Sequence, residues 1–351
     1  MQVIQIQRRP GSSQYSVESY FERVRACLSG SVSAISAVAP CFSRGVSGRV
    51  ANLWWALQFR NRLAHVTGDV NYLVLALKRR RCVLTVLDCE VLERLAGIRR
   101  WIVWLLWFRL PVCRAAVVTV ISEETKRQLL MHVTVPADRV VVVPVSVAEE
   151  LQYRSAEFRA ECPVVLQVGV KHNKNVPRLI EALSGLSCIL KVVGEVDSEL
   201  RQLLENSGLQ YVVLGRLTDA ELVRAYEDCD VVAFCSTHEG FGMPIVEAQR
   251  VGRVCVTANC SSMPEVAGGA ACLVDPFSVE SMRHGFLRVF SDEAYRSGLI
   301  AAGLRNAERF NAEQISALFA QIYSIVEECS SLKLSRREWD SLLRLRCRSL
   351  T

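Results

Sequence analysis

Several features that mark common classes of protein are missing from this sequence. None of its 14 cysteines forms a C-x-x-C pair, so paired-cysteine zinc sites are disfavoured and ordinary thiols in a reducing compartment are expected. The chain opens with an alternating, strand-like segment and a basic turn rather than a long apolar run, which predicts no secretory signal and a cytoplasmic location. It contains no repeat of fixed period and no low-complexity tract.

The net charge of the chain is also modest. The net charge of +6 over 351 residues comes without a concentrated basic stripe, which disfavours nucleic acid as a partner and favours an anionic ligand or surface. The chain is long enough for two domains, and a hydrophobic content of 50% is sufficient for two cores.

Short apolar segments alternate with amphipathic ones through most of the chain. This alternation predicts an α/β fold with two doubly wound, parallel-sheet domains. We expect an N-terminal domain at 1–150, a C-terminal domain at 160–328 and a basic tail at 329–351. The charged segment 145–162 shows no clear strand and is predicted to be the linker.

The stretch EGFGMPIVEA places Glu239 and Glu247 eight positions apart. A buried strand precedes it, Pro244 suits a helix start, and Gly252 is placed to end that helix. Glycines in the turn allow a ligand to approach the backbone, and the free N–H groups of a helix start favour phosphate. Because carboxylates would repel phosphate, the two acids should bind hydroxyl groups of the same ligand.

Four motifs follow one another along the chain. In order, they are GVKHNKNVPRLIEAL, GRLTDAELVRAY, EGFGMPIVEA and MPEVAGGAA. In this order they resemble the retaining glycosyltransferases of the family 4 type, which have the two-domain GT-B fold. The segments HVTGDVNYL and LLWFRLPVCRAAVVTVISEETKR are similar to members that build bacterial exopolysaccharide or lipopolysaccharide.

The resemblance implies a role for each matching residue. Glu239 and Lys174 would be catalytic, and Glu247 would bind the ribose of a nucleotide-diphosphate sugar. The other donor-binding positions implied are Gly240, Phe241, Gly242, Gly11, Lys171, Gly215, Leu217 and Asp88. It implies a substrate rather than a cofactor, no metal ion, and a glycan or polyprenyl-diphosphate-linked acceptor.

Two positions depart from the family pattern. Leu87 stands where a histidine usually precedes Asp88, and Val170 stands where an arginine often follows the first glycine. The first loss removes a polar contact to the sugar, and the second removes a charge from the diphosphate, which Lys171 would partly replace. These departures favour one rival to an active transferase, a non-catalytic sugar-nucleotide-binding scaffold subunit. A second rival is a sugar-nucleotide epimerase or hydrolase built on the same two-domain cleft.

Each candidate residue also has a purely structural interpretation. Glu247 could complement a helix dipole, Glu239 could be an ordinary loop acid, and Lys174 a surface lysine. His65, in HVTGD, is predicted at a strand end on the acceptor side, whereas His238 is predicted to be a packed strand-end residue. The D-x-D of Asp228 and Asp230 spans a helix end and a strand start, and is interpreted as structural.

The segment 98–114, IRRWIVWLLWFRLPVCR, raises the possibility of membrane contact. Its apolar core is too short to span a bilayer, but tryptophans beside arginines are typical of an interfacial helix. The alternative is a helix buried between domains. Localisation at the inner face of the plasma membrane follows from the first interpretation. The basic tail could form a further amphipathic element or an irregular extension.

Overall fold

The computed structural model describes residues 1–11 and 16–350 and divides them into two units. In the first unit, apolar β-branched runs form a six-stranded parallel sheet in the order β2-β1-β3-β4-β5-β6. The strands are β1 (Gln2–Gln7), β2 (Ser33–Val38), β3 (Leu63–Val66), β4 (Cys82–Val86), β5 (Val117–Val120) and β6 (Val140–Val142). All except the edge strand β2 are largely buried, as expected for strands covered on both faces.

Helices alternate with these strands. They are α1 (Ser16–Cys27), α2 (Gly45–Ala56), α3 (Glu90–Arg94), α4 (Gly97–Val103), α5 (Leu110–Arg114) and α6 (Glu123–His132). A π-helical segment, Trp104–Arg109, joins α4 to α5, so residues 97–114 form one continuous helical run. Ser122 caps α6 by accepting a hydrogen bond from the backbone N–H of Thr125.

The second unit, Val147–Asn311, repeats the architecture with sheet order β12-β11-β10-β7-β8-β9. Its strands are β7 (Val164–Val168), β8 (Ile189–Val193), β9 (Gln210–Gly215), β10 (Val231–Phe234), β11 (Val254–Ala258) and β12 (Cys272–Val274). Its helices are α7 (Val176–Leu183), α8 (Ser198–Asn206), α9 (Asp219–Glu227), α10 (Met243–Val251), α11 (Met263–Ala267), α12 (Val279–Ser291) and α13 (Glu293–Ala307). The prediction of two doubly wound parallel sheets is therefore confirmed.

The end of the chain belongs to the first unit, from Ala312 onward. It forms α14 (Ala312–Ser331) and α15 (Arg336–Cys347). On α14, Ser316 Oγ donates to the carbonyl of Val24, 3.1 Å away. The boundary between the units thus lies at 312 rather than at the predicted 328, because α14 packs against α1 of the first unit.

The predicted tail is an ordered amphipathic helix. On α15, Trp339 is 1% exposed and Leu343 is fully buried, whereas Leu345 is 65% exposed. Ser335 and Glu338 form a capping box at its start. Among the described residues, no helix is both long and apolar enough to cross a bilayer.

Candidate functional site

The EGFG turn connects the buried strand β10 to α10, as the sequence predicts. Gly242 occupies the N-cap of α10 with φ of 111°, a backbone region that side chains rarely adopt. A Cβ there would lie 3.0 Å from Ile245 Cδ1 and 3.2 Å from the ring of Phe234, so only glycine fits without a shift. Pro244 lies in the first turn and Gly252 ends the helix with φ of 79°. The predicted strand, turn and helix are all confirmed.

The loop after β7 lies at the same edge of the sheet. Asn175 is 4% exposed, has φ of 58°, and donates through Nδ2 to the carbonyls of Cys235 and Pro276 at 3.1 and 2.7 Å. Those carbonyls follow β10 and β12. One side chain therefore fixes the lysine-containing loop to the carboxyl ends of two other strands, which is where ligands bind in open parallel sheets.

The two residues predicted to be catalytic meet at this edge. Lys174 Nζ lies 2.7 Å from Glu239 Oε1, and each side chain is 16% exposed. Asn173 Nδ2 donates to the same carboxylate oxygen at 3.0 Å, and the lysine ammonium lies 4.4 Å from the centre of the Phe234 ring. A cation and an anion, 65 residues apart in sequence, are thus held together at the predicted phosphate end of the turn.

The second acid of the motif is held by a neighbouring helix. Glu247 lies in the second turn of α10, half-buried, and accepts a hydrogen bond from the Tyr226 hydroxyl on α9. Burial, and then the nearby Glu247 carboxylate, raise the pKa of Tyr226 well above its usual value, so the phenol stays protonated and donates. The structural interpretation was that Glu247 only complements the helix dipole. That effect is confined to the first turn, and Glu247 lies beyond it.

Two serines that the sequence argument did not single out support the turn. They follow β11, and Ser261 has φ of 54°. Its Oγ donates to the carbonyl of Glu239 at 2.7 Å and accepts from the N–H of Glu239 at 3.3 Å. Ser262 is fully buried, and its Oγ lies within hydrogen-bond distance of the carbonyls of Glu239 and Phe241, at 2.9 and 2.7 Å. The pair SS before MPEVAGGAA is the signal that would have identified them.

Comparison with known proteins agrees with this geometry. Residues 149–305 match the family model described as glycosyl transferases group 1. That range nearly coincides with the second unit. The second unit is thus similar in sequence to the glycosyl transferases group 1 family.

Among proteins of similar sequence is the Escherichia coli serotype-specific mannosyltransferase WbdA, 29% identical over 222 residues. Another is the Escherichia coli O-antigen chain mannosyltransferase B, 27% identical over 236 residues. The alignments cover 56% and 60% of this chain but only 27% and 61% of those relatives, so the chain spans about a quarter of WbdA.

Solved structures extend the comparison to both units. Anabaena HepE in complex with UDP and glucose gives a TM-score of 0.72 at 18% identity, covering 95% of this chain and 100% of HepE. WaaG, a glycosyltransferase of lipopolysaccharide biosynthesis, gives 0.68 at 16% identity, covering 92% of this chain and 100% of WaaG. The chain therefore has the GT-B glycosyltransferase fold and resembles enzymes of lipopolysaccharide and O-antigen synthesis, as the sequence predicts.

The remaining predicted donor contacts of the second unit lie at the end of a strand and on loops. Gly215 ends β9 with φ of 66°, and its carbonyl accepts from the N–H of Gly194 at 2.8 Å. Leu217 precedes the capping box of Thr218 and Glu221 that begins α9, the helix that carries Tyr226. Lys171 is exposed at the start of the lysine loop. Their contacts with a donor stay predictions.

The Gly240–Gly242 turn presents backbone rather than side chains. Phe241 is 5% exposed, and its ring packs edge-on against Phe310 at 5.5 Å between centroids. Only its peptide groups are therefore positioned to line a ligand, which agrees with the role that the resemblance implies.

In the first unit, Asp88 follows β4, and its Oδ1 accepts a hydrogen bond from the N–H of Glu90 at 3.1 Å. Leu87 beside it is half-buried. Gly11 is the last described residue before Ser12–Tyr15, and the rest of its predicted loop lies outside the described residues. In the second unit, the Val170 side chain packs against Gly194, where a Cβ would lie 3.2 Å from Val170 Cγ2.

The prediction of an acceptor-facing His65 is wrong. His65 is fully buried within β3, with Nδ1 2.7 Å from the Tyr323 hydroxyl and Nε2 2.7 Å from Thr85 Oγ1. Burial lowers its pKa to about 3, so the ring is neutral at physiological pH. The histidine is a polar core residue, because both ring nitrogens are used by neighbouring elements of its own unit.

Asp230 is structural, as predicted. Its carboxylate accepts from the N–H of Val164 at 2.7 Å and pairs with Arg159 at 2.7 Å, and its side chain is 2% exposed. Among residues 1–11 and 16–350, no three His, Cys, Asp or Glu side chains converge in a way that could hold a metal ion. A shallow groove of about 450 Å³ between β12 and α12 is lined by none of the predicted site residues.

Proposed function

We propose that this chain is a retaining hexosyltransferase of the family 4 type, which moves a sugar from a nucleotide-diphosphate donor to a glycan acceptor. The observation that carries the proposal is the Lys174–Glu239 pair, held at 2.7 Å beside the glycine turn and the start of α10. A surface lysine and an ordinary loop acid would have no reason to be braced by Asn173, Asn175, Ser261 and Ser262.

In this proposal the donor replaces an internal ion pair with external contacts. The diphosphate takes the Lys174 ammonium and the N–H groups at the start of α10, while Glu239 accepts hydrogen bonds from sugar hydroxyls. Glu247, steadied by Tyr226, accepts from the ribose hydroxyls. The bond from the anomeric carbon to the diphosphate breaks, and the bond to the acceptor oxygen forms on the same face, while the proton of the acceptor hydroxyl passes to the departing diphosphate. Charge stabilisation and positioning supply most of the acceleration.

Mannose is the first sugar to test, because WbdA and the O-antigen enzyme are named mannosyltransferases. The proposed acceptor is a glycan on a polyprenyl diphosphate in cell-surface polysaccharide synthesis. The proposed location is the inner face of the plasma membrane, with residues 98–114 in contact with lipid.

A second candidate is a binding-only scaffold subunit, favoured by the apolar Val170 and Leu87 where the family has basic residues. An epimerase is the third, since it would need the same donor site but no acceptor. The three differ in what happens to bound donor: transfer, no change, or change of the sugar alone.

The deciding experiment is a thermal-shift screen against UDP, GDP and ADP sugars, followed by incubation of any bound donor with labelled sugar and lipid-linked acceptor. A donor at 100 times its Kd should stabilise its unit by about 2.7 kcal/mol. Transfer that continues in the presence of a chelator supports the metal-independent mechanism. Binding without turnover would favour the scaffold, and a changed sugar without acceptor would favour the epimerase.

A further inference from the structure

Helix α2 exposes an apolar stripe to solvent. Val46 is 77% exposed, Val50 45% and Trp54 73%. Positions four apart lie one above another on a helix, so these three side chains share one face. The opposite face is anchored in the core through Asn52 and Ala56, both fully buried. A soluble helix normally places its apolar face inward, and here a large apolar face points outward.

The helical run at 97–114 exposes a second stripe. Ile98 is 68% exposed, Trp101 53% and Ile102 41%. The other side of this run is held in place: Phe108 is 2% exposed, and Trp104 Nε1 donates to the carbonyl of His132 at 2.8 Å. The run is therefore a surface helix with one anchored face and one exposed apolar face, rather than a fully buried helix.

The two helices are neighbours within the first unit. Both pack against the turn Asn71–Ala76: Asn52 Nδ2 donates to the Tyr72 hydroxyl at 3.2 Å, and the Tyr72 and Trp107 ring centroids are 4.9 Å apart. Across this turn, the guanidinium carbon of Arg49 on α2 lies 4.7 Å from the Trp107 ring centroid. We call the six exposed side chains the apolar surface: Val46, Val50, Trp54, Ile98, Trp101 and Ile102.

The segments that build the apolar surface carry positive charge only. Between Glu22 and Asp69 there is no acidic residue, but there are six arginines; between Glu93 and Glu123 there is again none, but there are five. Asp69, whose backbone carbonyl accepts a hydrogen bond from Trp107 Nε1, has its carboxylate paired with Arg8. Arginine beside exposed tryptophan and aliphatic side chains complements an interface of anionic headgroups over acyl chains.

We propose that α2 and the 97–114 run together form one lipid-facing surface, which holds the chain on an anionic bilayer with both stripes in the headgroup region. This inference adds α2 to the membrane contact that the proposed function assigns to residues 98–114. It rests on the proposed function only for the purpose of that contact, which is to reach a lipid-linked acceptor. A second copy of the chain fits the surface less well, because self-association would place arginines against arginines.

The test is co-sedimentation of the full chain with phosphatidylcholine vesicles that contain phosphatidylglycerol, and with phosphatidylcholine vesicles alone, at low and high salt. We expect binding only to the anionic vesicles, weakened by salt. Trp54→Ser and Trp101→Ser should each reduce the partition constant about tenfold, and Arg100→Ala about fivefold. Met131→Ser is the matched control, since Met131 is 64% exposed on α6 and should leave binding unchanged.

The α2 inference is overturned if Trp54→Ser binds vesicles as tightly as the unchanged chain, even when Trp101→Ser does not. Equal binding to neutral vesicles would also contradict it. So would a dimer in sedimentation equilibrium that Trp54→Ser dissociates, because a second copy would then be the occupant. A thermal-shift measurement of donor binding by Trp54→Ser separates the test of this inference from the test of the proposed function. A variant that loses vesicle binding but still binds donor supports the lipid-facing surface alone.

Discussion

At the scale of single residues, the candidate site consists of a few charged side chains held by many hydrogen bonds. Lys174 and Glu239 neutralise each other across 2.7 Å, and buried amides and hydroxyls fix the loops on which they lie. Fixed partners of this kind reduce the reorganisation that a transition state demands. The role of each residue can therefore be tested by removing either its charge or its support.

Glu247→Gln should weaken donor binding. The amide keeps the shape of the side chain and a bond with Tyr226, but it loses the charge that makes bonds from ribose hydroxyls strong. We expect Kd for the donor to rise about tenfold, measured by calorimetry, with little change in the free energy of unfolding. Glu199→Gln, on the exposed side of α8, is the control. An unchanged Kd would remove the ribose role from Glu247.

Ser262→Ala should reduce turnover more than it reduces donor affinity. The substitution leaves the carbonyls of Glu239 and Phe241 without that hydroxyl, so the turn loses a support worth about 1 kcal/mol. The matched control is Ser236→Ala, because Ser236 is equally buried but its Oγ has no partner among the described residues. If both variants lose kcat to the same extent, the hydroxyl of Ser262 does not position the turn.

At the scale of elements, local sequence predicted what is decided locally. The start of α10 beside Pro244, its end at Gly252 and the capping box at Thr218 were all predictable, because each depends on neighbours a few residues away. The meeting of Lys174 with Glu239 was predictable only through the rule that parallel strands share a carboxyl edge.

Burial of polar residues was not predictable in the same way. His65 follows an apolar strand start and precedes VTGD, so the pattern alone suggests a strand end facing a ligand. Its true partners, Tyr323 and Thr85, come from α14 and β4. Long-range partners leave no local signal in one sequence. The serines after β11 do leave a local signal, the pair SS before MPEVAGGAA, but nothing in the sequence identifies the Glu239 turn as their partner.

The buried histidine predicts a pH dependence of stability. Because its folded pKa is lowered to about 3, the unfolded chain binds a proton below pH 6.5 that the folded chain does not. Its contribution is thus complete above pH 6.5 and is lost as the pH falls towards 3. Relative to His65→Gln, the unchanged chain should lose about 1.4 kcal/mol per pH unit over this range.

The measurement is urea unfolding of both proteins from pH 7 to pH 4. Carboxylates titrate in both, so the difference between the two curves isolates the imidazole. Parallel curves would contradict a neutral, buried ring.

At the scale of the whole molecule, the chain does not run through one unit and then the other. It leaves the first unit at Ser146 and re-enters it at Ala312, so the first unit is completed only when the last two helices are made. The predicted boundary at 328 missed this because α14 is amphipathic, and amphipathicity does not say which sheet a helix covers.

Truncating Trp339 should therefore destabilise the first unit. Trp339→Ala removes a side chain that is 1% exposed and lies 5.4 Å from the Arg80 guanidinium, and large-to-small changes of this kind cost about 3–5 kcal/mol. Leu345→Ala on the same helix is the control, since Leu345 is 65% exposed. Chemical unfolding followed by tryptophan fluorescence distinguishes the two. If both variants lose the same small amount of unfolding free energy, α15 does not contribute to the stability of the first unit.

Asn175 illustrates how several constraints on one position restrict substitution. The residue must tolerate a left-handed backbone and offer two N–H donors to carbonyls after β10 and β12. It must also fit a buried position, since Asn175 is only 4% exposed. Glycine meets only the first demand and glutamine only the second. In a saturation library selected for transfer, this position should accept almost nothing but asparagine, whereas the exposed Pro177 two residues later should tolerate many replacements.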